Sequence, residues 1–205
     1  MASSSGQPMR VLFVCTGNIC RSPMGQAMLI HRLRESLGAD AGRLVEVTSA
    51  GTYGLVGHPI EPDALAALSE LGVTPDPFEA RELARDIVES SDLVLTATRE
   101  HRASAVQMLP RASRRAFTMR EFARLVAAAD PSSVAGDDAA SRGRALVEAA
   151  AAMRGYVRPD RPEDDDVADP YRRAREAFQA AAEQIDASTR TIAERLAEAL
   201  RPLAG

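Results

Sequence analysis

The stretch VLFVCTGNICRS, residues 11–22, decides the fold of this chain. Four apolar residues lead into Cys15, a polar loop with a glycine and an asparagine follows, and a second cysteine and Arg21 end the stretch. A short apolar run bounded by turn residues is typical of a buried strand. Pro23 comes soon afterwards and suits the first turn of a helix. The stretch therefore predicts a strand, a tight loop and a helix in succession.

Strand and helix patterns alternate along the first part of the chain. Strands are predicted at residues 10–15, 43–50, 92–98 and 115–118, and helices at 23–37, 61–71, 79–89 and 100–109. This alternation favours a parallel sheet with helices on both faces. The predicted fold class is α/β, a three-layer α/β/α arrangement around a four-stranded parallel sheet.

The second part of the chain is alanine-rich and differs in pattern. Polar breaks interrupt it, and residues 119–166 are interpreted as an insertion. The amphipathic segment from Tyr171 to about Leu200 predicts a long helix that packs on the sheet. With residues 1–9 as a flexible tail, residues 1–205 are predicted to form a single domain.

The composition restricts the possible classes of function. With 29 acidic and 25 basic residues the net charge is −4, which provides no basic field for nucleic acid. Every basic residue is arginine, so mechanisms that need a lysine are excluded. Neither a signal peptide nor a membrane span is predicted, and two cysteines with four residues between them form no disulfide framework. A cytoplasmic protein without metal or cofactor is therefore expected.

The loop after Cys15 has the features of an anion-binding site. A loop between a parallel strand and a helix collects unpaired backbone N–H groups at the positive end of the helix dipole. Gly17 and Asn18 tolerate the backbone angles that turn these groups inward. The same groups, with Arg21 nearby, favour Cys15 as a thiolate. A thiolate beside a guanidinium is equipped to bind a phosphoryl group and attack its phosphorus.

The fuller stretch VCTGNICRSP, residues 14–23, resembles the phosphate-binding loop of the low-molecular-weight protein tyrosine phosphatases. The loop also follows the first strand, as it does in that family. The resemblance implies a phosphatase I type fold, with Cys15 as the nucleophile and Arg21 as the clamp for the phosphate and the transition state. The phosphate-binding residues that it implies are Thr16, Gly17, Asn18, Ile19, Cys20 and Ser22.

Three of these residues have more specific implied roles. Asn18 would hold the shape of the loop, and Ser22 would be the hydroxyl partner of the Cys15 thiolate. Cys20 would lie beside Cys15, where the family resemblance implies a reversible disulfide that regulates activity rather than a structural bond.

The resemblance also implies a general acid. Family members carry an Asp-Pro dipeptide followed by aromatic residues near the C-terminus, and Asp169, Pro170 and Tyr171 match this pattern. Asp169 would protonate the leaving phenolate and then activate water against the cysteinyl-phosphate. Taken without the resemblance, Asp169 can instead be a helix N-cap before Pro170. The acids at 160 and 163–166 either crowd Asp169 with like charge or form a solvated run without effect.

The resemblance places the substrate walls at two loops. The loop after the second strand offers Tyr53 or Leu55, and the Asp-Pro loop offers Tyr171. After Tyr171 the chain continues with Arg172, where many relatives have a second aromatic residue. A phosphotyrosine ring needs such apolar walls around a deep slot. The histidines at 31, 58 and 101 are interpreted as surface or helix-packing residues.

The sequence therefore predicts a protein tyrosine phosphatase that uses a cysteinyl-phosphate intermediate. Its expected partner is a phosphotyrosine protein, with a tyrosine kinase as a candidate. A protein arginine phosphatase is an alternative, although Ile19 stands where that activity would call for threonine. Arsenate reduction is another, although no resolving cysteine follows Cys20. A non-enzymatic phosphate-binding or redox-sensing module is the alternative from a different class.

Overall fold

The protein is described here by a computed structural model that covers residues 7–201. The central sheet has four strands, β1 (Met9–Cys15), β2 (Val45–Gly51), β3 (Leu93–Thr96) and β4 (Ala116–Thr118). All strand pairs are parallel, and the order across the sheet is β2-β1-β3-β4. The carboxyl ends of the strands therefore meet at one edge, where the loop after β1 lies.

Eight α-helices accompany the sheet within residues 7–201. They are α1 (Arg21–Leu37), α2 (Ala41–Leu44), α3 (Pro62–Glu70), α4 (Arg85–Ser90), α5 (Arg99–Met108), α6 (Met119–Ala128), α7 (Ala139–Ala152) and α8 (Arg175–Leu200). Alternate residues of a strand point to opposite faces of the sheet. Val11 and Phe13 of β1 enter a large core that also contains residues of α1, α3, α6, α7 and α8. Leu12 and Val14 enter a smaller core with α4 and α5. Both faces are covered, which confirms the predicted three-layer α/β fold.

One predicted helix is mostly wrong. Of residues 79–89, only the part within α4 is helical. Residue Glu82 instead forms a parallel bridge with Gly51 at the end of β2. The carbonyl of Arg81 accepts the Gly51 N–H, and the Leu83 N–H donates to the Gly51 carbonyl. These backbone groups are used by the sheet edge, so they are not available for helical hydrogen bonds.

Most elements start one or two residues from the predicted position, and two of the differences in element starts have a clear cause. The strand predicted from Arg43 begins at Val45, because the preceding residues close the short helix α2. The helix predicted from Tyr171 begins at Arg175. Arg172 has a φ of +60°, in the left-handed region, and an α-helix of L-residues does not continue through such a residue.

The predicted tail, residues 1–9, lies largely outside the described residues. Its last three residues are described, and of these Met9 pairs in register with Val45 and is completely buried in β1. Backbone pairing and burial of an apolar side chain extend the strand by one residue beyond the prediction. Met9 is therefore part of the sheet and not of a tail.

Residues 119–166, interpreted as an insertion, contain α6 and α7. Helix α6 follows β4 directly and starts with a capping box between Thr118 and Glu121. Its buried face packs on α8, and both α6 and α7 contribute to the large core. At least these two helices are therefore integral to one layer of the fold. Their status as an insertion relative to the family stays a prediction.

Helix α8 has the amphipathic character that the sequence predicts. Phe178, Ile185, Ile192 and Leu196 are buried, and the helix packs on α1, α3, α6 and α7. Charged residues occupy the remaining face. Within residues 7–201 no helix combines the length and the apolar character needed to cross a bilayer.

A close approach of α1 to β1 makes Gly25 sensitive to substitution. A Cβ atom at Gly25 would lie 2.6 Å from the ring of Phe13, which is fully buried and cannot move away. We expect Gly25→Ala to lower the free energy of unfolding by about 1–3 kcal/mol in urea titrations. Gly42→Ala is the control, since no atom lies within 4 Å of its Cβ position. Equal effects of the two changes would contradict the close packing.

Candidate active site

The loop between β1 and α1 surrounds the thiol of Cys15. The Cys15 Sγ lies 3.0 Å from Ser22 Oγ, and both groups are buried. The Asn18 side-chain amide donates to Ser22 Oγ and to Ser49 Oγ, each at 2.8 Å. Because Ser22 Oγ already accepts this bond, its own hydrogen is free to point at the sulfur. The structure thus places a hydroxyl donor on the predicted nucleophile.

Asn18 has a central position in this loop. Its φ is +56°, in the left-handed region that asparagine tolerates better than most residues. Its side-chain oxygen accepts the Arg81 N–H at 2.9 Å. The side chain is completely buried. Asn18 therefore joins the loop to β2 and to the extended segment beside it.

The carbonyl groups of the loop point away from its centre. Those of Cys15, Thr16 and Gly17 accept N–H groups from residues 52–55, at 2.9–3.0 Å. Gly51 allows this contact, since a Cβ there would lie 2.3 Å from the Thr16 carbonyl oxygen. No backbone N–H of residues 16–20 donates to another group within the described part of the chain. An anion over Cys15 would therefore meet free N–H donors.

Arg21 is buried, with 3% of its surface exposed, at the start of α1. Its Nη1 donates to the Val167 carbonyl at 3.0 Å, and its Nη2 lies 3.1 Å from Asp169 Oδ2. The Nε is buried and has no partner among residues 7–201. An unpartnered buried donor is costly unless a ligand supplies the acceptor. This arrangement fits an oxyanion.

Asp169 faces the same cavity as the loop between β1 and α1 and does not lie on a helix. Its side chain is 53% exposed, pairs with Arg21 and accepts the Tyr171 N–H at 3.3 Å. The alternative interpretation, a helix N-cap, is wrong because α8 starts later and its N-cap is Ala174. The carboxyl group is therefore free to face a bound phosphate ester.

The last two acids before Asp169 are neither crowded nor freely solvated, whereas Asp160 and Glu163 of the same run are exposed. The Arg124 guanidinium donates hydrogen bonds to Asp165 at 2.6 and 2.8 Å, and the Arg99 guanidinium donates to Asp166. Each of these carboxylates has its own guanidinium partner. Both predicted readings of this run are therefore incomplete, because they considered the acids without the arginines that pair with them.

One cavity of about 210 Å³ unites most of the predicted residues. Its lining consists of Cys15, Thr16, Gly17, Ile19, Cys20, Arg21, Tyr53, Leu55, Asp169 and Tyr171. The other two predicted residues, Asn18 and Ser22, are buried beside it. A larger and more open groove of about 510 Å³ lies between α6 and α8 but contains no cysteine or histidine. The convergence of reactive groups, and not the volume, distinguishes the smaller cavity.

Aromatic side chains stand at the mouth of this cavity. Tyr53 is 78% exposed, and Tyr171 and Leu55 are exposed at 41% and 38%. The guanidinium carbon of Arg172 lies 5.2 Å from the centre of the Tyr171 ring. At this separation a cation attracts the face of the ring. Arg172 therefore contacts Tyr171 at the mouth of the cavity.

Cys20 is buried beside the nucleophile. Burial, followed by the nearby charge of Cys15, raises the pKa of the Cys20 thiol to about 12. Cys20 is therefore protonated near neutral pH. Both cysteines are free thiols in this structure. A disulfide between them stays a prediction.

His101 is a site residue that the sequence analysis missed. It lies buried in the first turn of α5, with Nε2 2.9 Å from Thr16 Oγ1 and Nδ1 2.7 Å from Thr98 Oγ1. Burial, with a smaller effect of Arg21, lowers the pKa of His101 to about 4. The sequence predicts a surface or helix-packing role for His101; the residue is buried on α5, and the prediction lacks its hydrogen bond to Thr16 beside the cavity. Its position, just after the carboxyl end of β3, was the signal that could have shown it.

Within residues 7–201 no group of three or more His, Cys, Asp or Glu side chains is arranged to hold a metal ion. The groups that converge on the cavity are a thiol, a hydroxyl, a guanidinium and a carboxyl. These are the residue types for covalent transfer of an oxyanion through sulfur.

The fold and this cavity define a class, the α/β proteins that bind an oxyanion in the loop between the first strand and the first helix. The model of the family described as low molecular weight phosphotyrosine protein phosphatase matches residues 10–150. A low molecular weight protein-tyrosine-phosphatase of Streptomyces coelicolor is 32% identical over 183 residues, which cover 88% of each chain. The chain belongs to the low molecular weight phosphotyrosine protein phosphatase family.

Further similarities are partial or structural. The low molecular weight protein-tyrosine-phosphatase Etp of Escherichia coli K12 is 37% identical over 100 residues, which cover 49% of this chain and 62% of Etp. The solved structure of the YwlE arginine phosphatase from Geobacillus stearothermophilus has a TM-score of 0.64 and is 26% identical. That similarity covers 92% of this chain and 93% of YwlE.

The buried His101 should make stability depend on pH. The unfolded chain takes up the proton near pH 6.5 and the folded chain only near pH 4, so protonation favours unfolding. Stability is full above pH 6.5 and falls as the pH decreases towards 4. We expect His101→Gln to remove about 2 kcal/mol of the loss between pH 7.5 and 5.0, measured by urea unfolding. The exposed His58, changed to Gln, is the control, and an unchanged pH slope in His101→Gln would refute this role.

Proposed function

We propose that the chain hydrolyses phosphotyrosine in proteins through a cysteinyl-phosphate intermediate. The observation that carries this proposal is the buried, unpartnered Nε of Arg21 beside Cys15 and Asp169 in one cavity. A guanidinium, a ring of free N–H groups and a thiol together suit a tetrahedral dianion. The carboxyl group opposite them suits the leaving oxygen.

The first chemical step follows from this geometry. The phosphate oxygens bind the loop N–H groups and Arg21, and the Cys15 sulfur attacks phosphorus as the bond from phosphorus to the tyrosyl oxygen breaks. Asp169 donates its proton to that oxygen, so tyrosine leaves as a neutral phenol. The Ser22 hydroxyl stabilises the sulfur before the attack and whenever it leaves.

The second step returns the protein to its starting state. Asp169, now ionised, accepts a proton from a water molecule that attacks phosphorus, and the bond between sulfur and phosphorus breaks. Inorganic phosphate is released, and Cys15 recovers its electron pair. Neither step requires a metal or an organic cofactor.

The ion pair between Arg21 and Asp169 fits this cycle. In the free protein Arg21 Nη2 lies 3.1 Å from Asp169 Oδ2. A bound phosphate dianion would compete for Arg21 as a charge-assisted hydrogen-bond acceptor. The Asp169 carboxyl group would then be released from the guanidinium and could face the leaving oxygen.

The walls favour an aromatic substrate. Tyr53, Leu55 and Tyr171 surround the mouth, and the apolar Ile19 lines the cavity where an arginine phosphatase is expected to have threonine. A protein arginine phosphatase remains the second candidate, because the similar YwlE of Geobacillus stearothermophilus bears that name. The proposed partner is a phosphotyrosine protein in the cytoplasm, with a tyrosine kinase as a candidate.

Hydrolysis of phosphorylated peptides in the presence of a metal chelator tests the proposal. We expect turnover of phosphotyrosine peptides and of p-nitrophenyl phosphate, and far slower turnover of phosphoserine and phosphoarginine peptides. Cys15→Ser should abolish turnover, because a serine hydroxyl is a much poorer nucleophile here. Activity that survives in Cys15→Ser would refute the mechanism, and a preference for phosphoarginine would favour the second candidate.

Replacement of Asp169 tests the proposed acid. We expect Asp169→Asn to lower kcat/KM for phenyl phosphate by about 10²–10³, because this leaving group needs a proton. The loss for p-nitrophenyl phosphate should be much smaller. The free energy of unfolding should barely change, since the side chain is half exposed and the amide oxygen of asparagine can still accept a hydrogen bond from Arg21. Asp160→Asn, an exposed acid of the same region, is the control. Equal losses on both esters would remove Asp169 from this role.

A further inference from the structure

We propose that Asp166 is a positioning residue for Asp169. It would hold the general-acid loop, residues 165–169, on the first turn of α5, so that the Asp169 carboxyl stays within reach of the leaving oxygen. This inference rests on the proposed function, since it assigns a device that supports the acid of that reaction. It also assigns a role to acids that precede the Asp-Pro pair.

Four hydrogen bonds join Asp166 to Arg99. Asp166 Oδ1 accepts the backbone N–H of Arg99 at 2.8 Å and its Nε at 3.2 Å. Asp166 Oδ2 accepts Nε at 3.1 Å and Nη2 at 2.9 Å. Arg99 is the first residue of α5, so the carboxylate also meets the positive end of that helix. A bidentate, charge-assisted contact of this kind fixes geometry as well as supplying energy.

The next residue extends the attachment to the reacting groups. The Val167 N–H donates to the carbonyl of Ala97 at 2.8 Å, and the Val167 carbonyl accepts Arg21 Nη1 at 3.0 Å. Val167 is completely buried. Two consecutive residues of the loop are therefore fixed to the carboxyl edge of the sheet. Asp169 follows two residues later, with its Oδ2 3.1 Å from Arg21 Nη2.

Helix α6 supports the same loop from another direction. Arg124 Nη2 donates hydrogen bonds to both carboxylate oxygens of Asp165, at 2.6 and 2.8 Å, and Arg124 Nη1 donates to the Val157 carbonyl. The backbone of Asp166 is extended, so neighbouring side chains point to opposite sides. Asp165 can therefore bind α6 while Asp166 binds α5. The two adjacent acids hold the loop between two helices.

The attachment should matter most when substrate is bound. In the free protein Asp169 is held by Arg21 and by the N–H of Tyr171, and its side chain is half exposed. A phosphate ester would compete for Arg21, so the position of the acid would then depend on the loop backbone. Proton transfer requires a heavy-atom separation of about 2.6–3.2 Å. A displacement of about 1 Å can cost up to 10²-fold in rate.

The test is a leaving-group series on Asp166→Ala, with kcat/KM measured from p-nitrophenyl phosphate to phenyl phosphate. We expect a loss of about tenfold on phenyl phosphate, within the range for a misplaced acid, and almost none on p-nitrophenyl phosphate. Arg99→Ala should give the same signature, because it removes the side-chain part of the contact from the other partner. Asp164→Ala is the matched control, since Asp164 bonds only the nearby Arg161.

A double-mutant cycle separates positioning from a general structural effect. If Asp166 acts through Asp169, then Asp166→Ala should cause no further loss on phenyl phosphate in the Asp169→Asn background. Equal losses on all esters, or a further loss in that background, would overturn the proposal. Asp166→Asn, which can still accept the Arg99 N–H, should fold and show an intermediate loss, and thermal unfolding of each variant checks this.

Failure of the proposed function would look different. A steep leaving-group dependence in Asp169→Asn without one in Asp166→Ala overturns the positioning role alone. An absent dependence in Asp169→Asn removes the general acid, and with it the role of Asp166.

Discussion

The buried guanidinium of Arg21 is the group on which the site depends. It starts α1, yet its partners Val167 and Asp169 lie almost 150 residues further along the chain. A buried charge is tolerated only with partners that compensate its lost hydration. The need for such partners joins the first loop of the protein to a loop near its C-terminus. The Arg21 Nε is the donor of this guanidinium that no group among residues 7–201 uses, so it is available to a ligand.

The parallel sheet explains why so few residues suffice to build the cavity. Every strand delivers its carboxyl end to the same edge, so the segments that follow β1, β2 and β3 are neighbours without long connections. The N–H groups of the loop after β2 donate to the carbonyls of the loop between β1 and α1, and the segment after β3 supplies His101 and the carbonyl of Ala97 that accepts the Val167 N–H. The geometry of the proposed anion site is thus a property of the sheet edge rather than of one motif.

Much of this could be predicted from the sequence, for identifiable reasons. The strand and loop around Cys15 have strong local signals, because apolar runs and glycine report on local backbone preference. The wrong predictions concern long-range contacts. Residues around Glu82 have helical character but bond to Gly51, and His101 bonds to Thr16, 85 residues away. Similarly, the pairing of Asp165 and Asp166 with arginines of two helices is invisible until the helices are placed. Local sequence patterns do not show which distant residues will form hydrogen bonds with each other.

The left-handed backbone of Arg172 illustrates a conflict between folding and recognition. A residue other than glycine or asparagine in this conformation costs of order 1 kcal/mol or more, and glycine would relieve that strain. Glycine would also remove the guanidinium that lies over the Tyr171 ring. The conformation of Arg172 therefore trades backbone strain for a contact between two side chains. A glycine at this position would relax the backbone and leave the Tyr171 ring without a cation on its face.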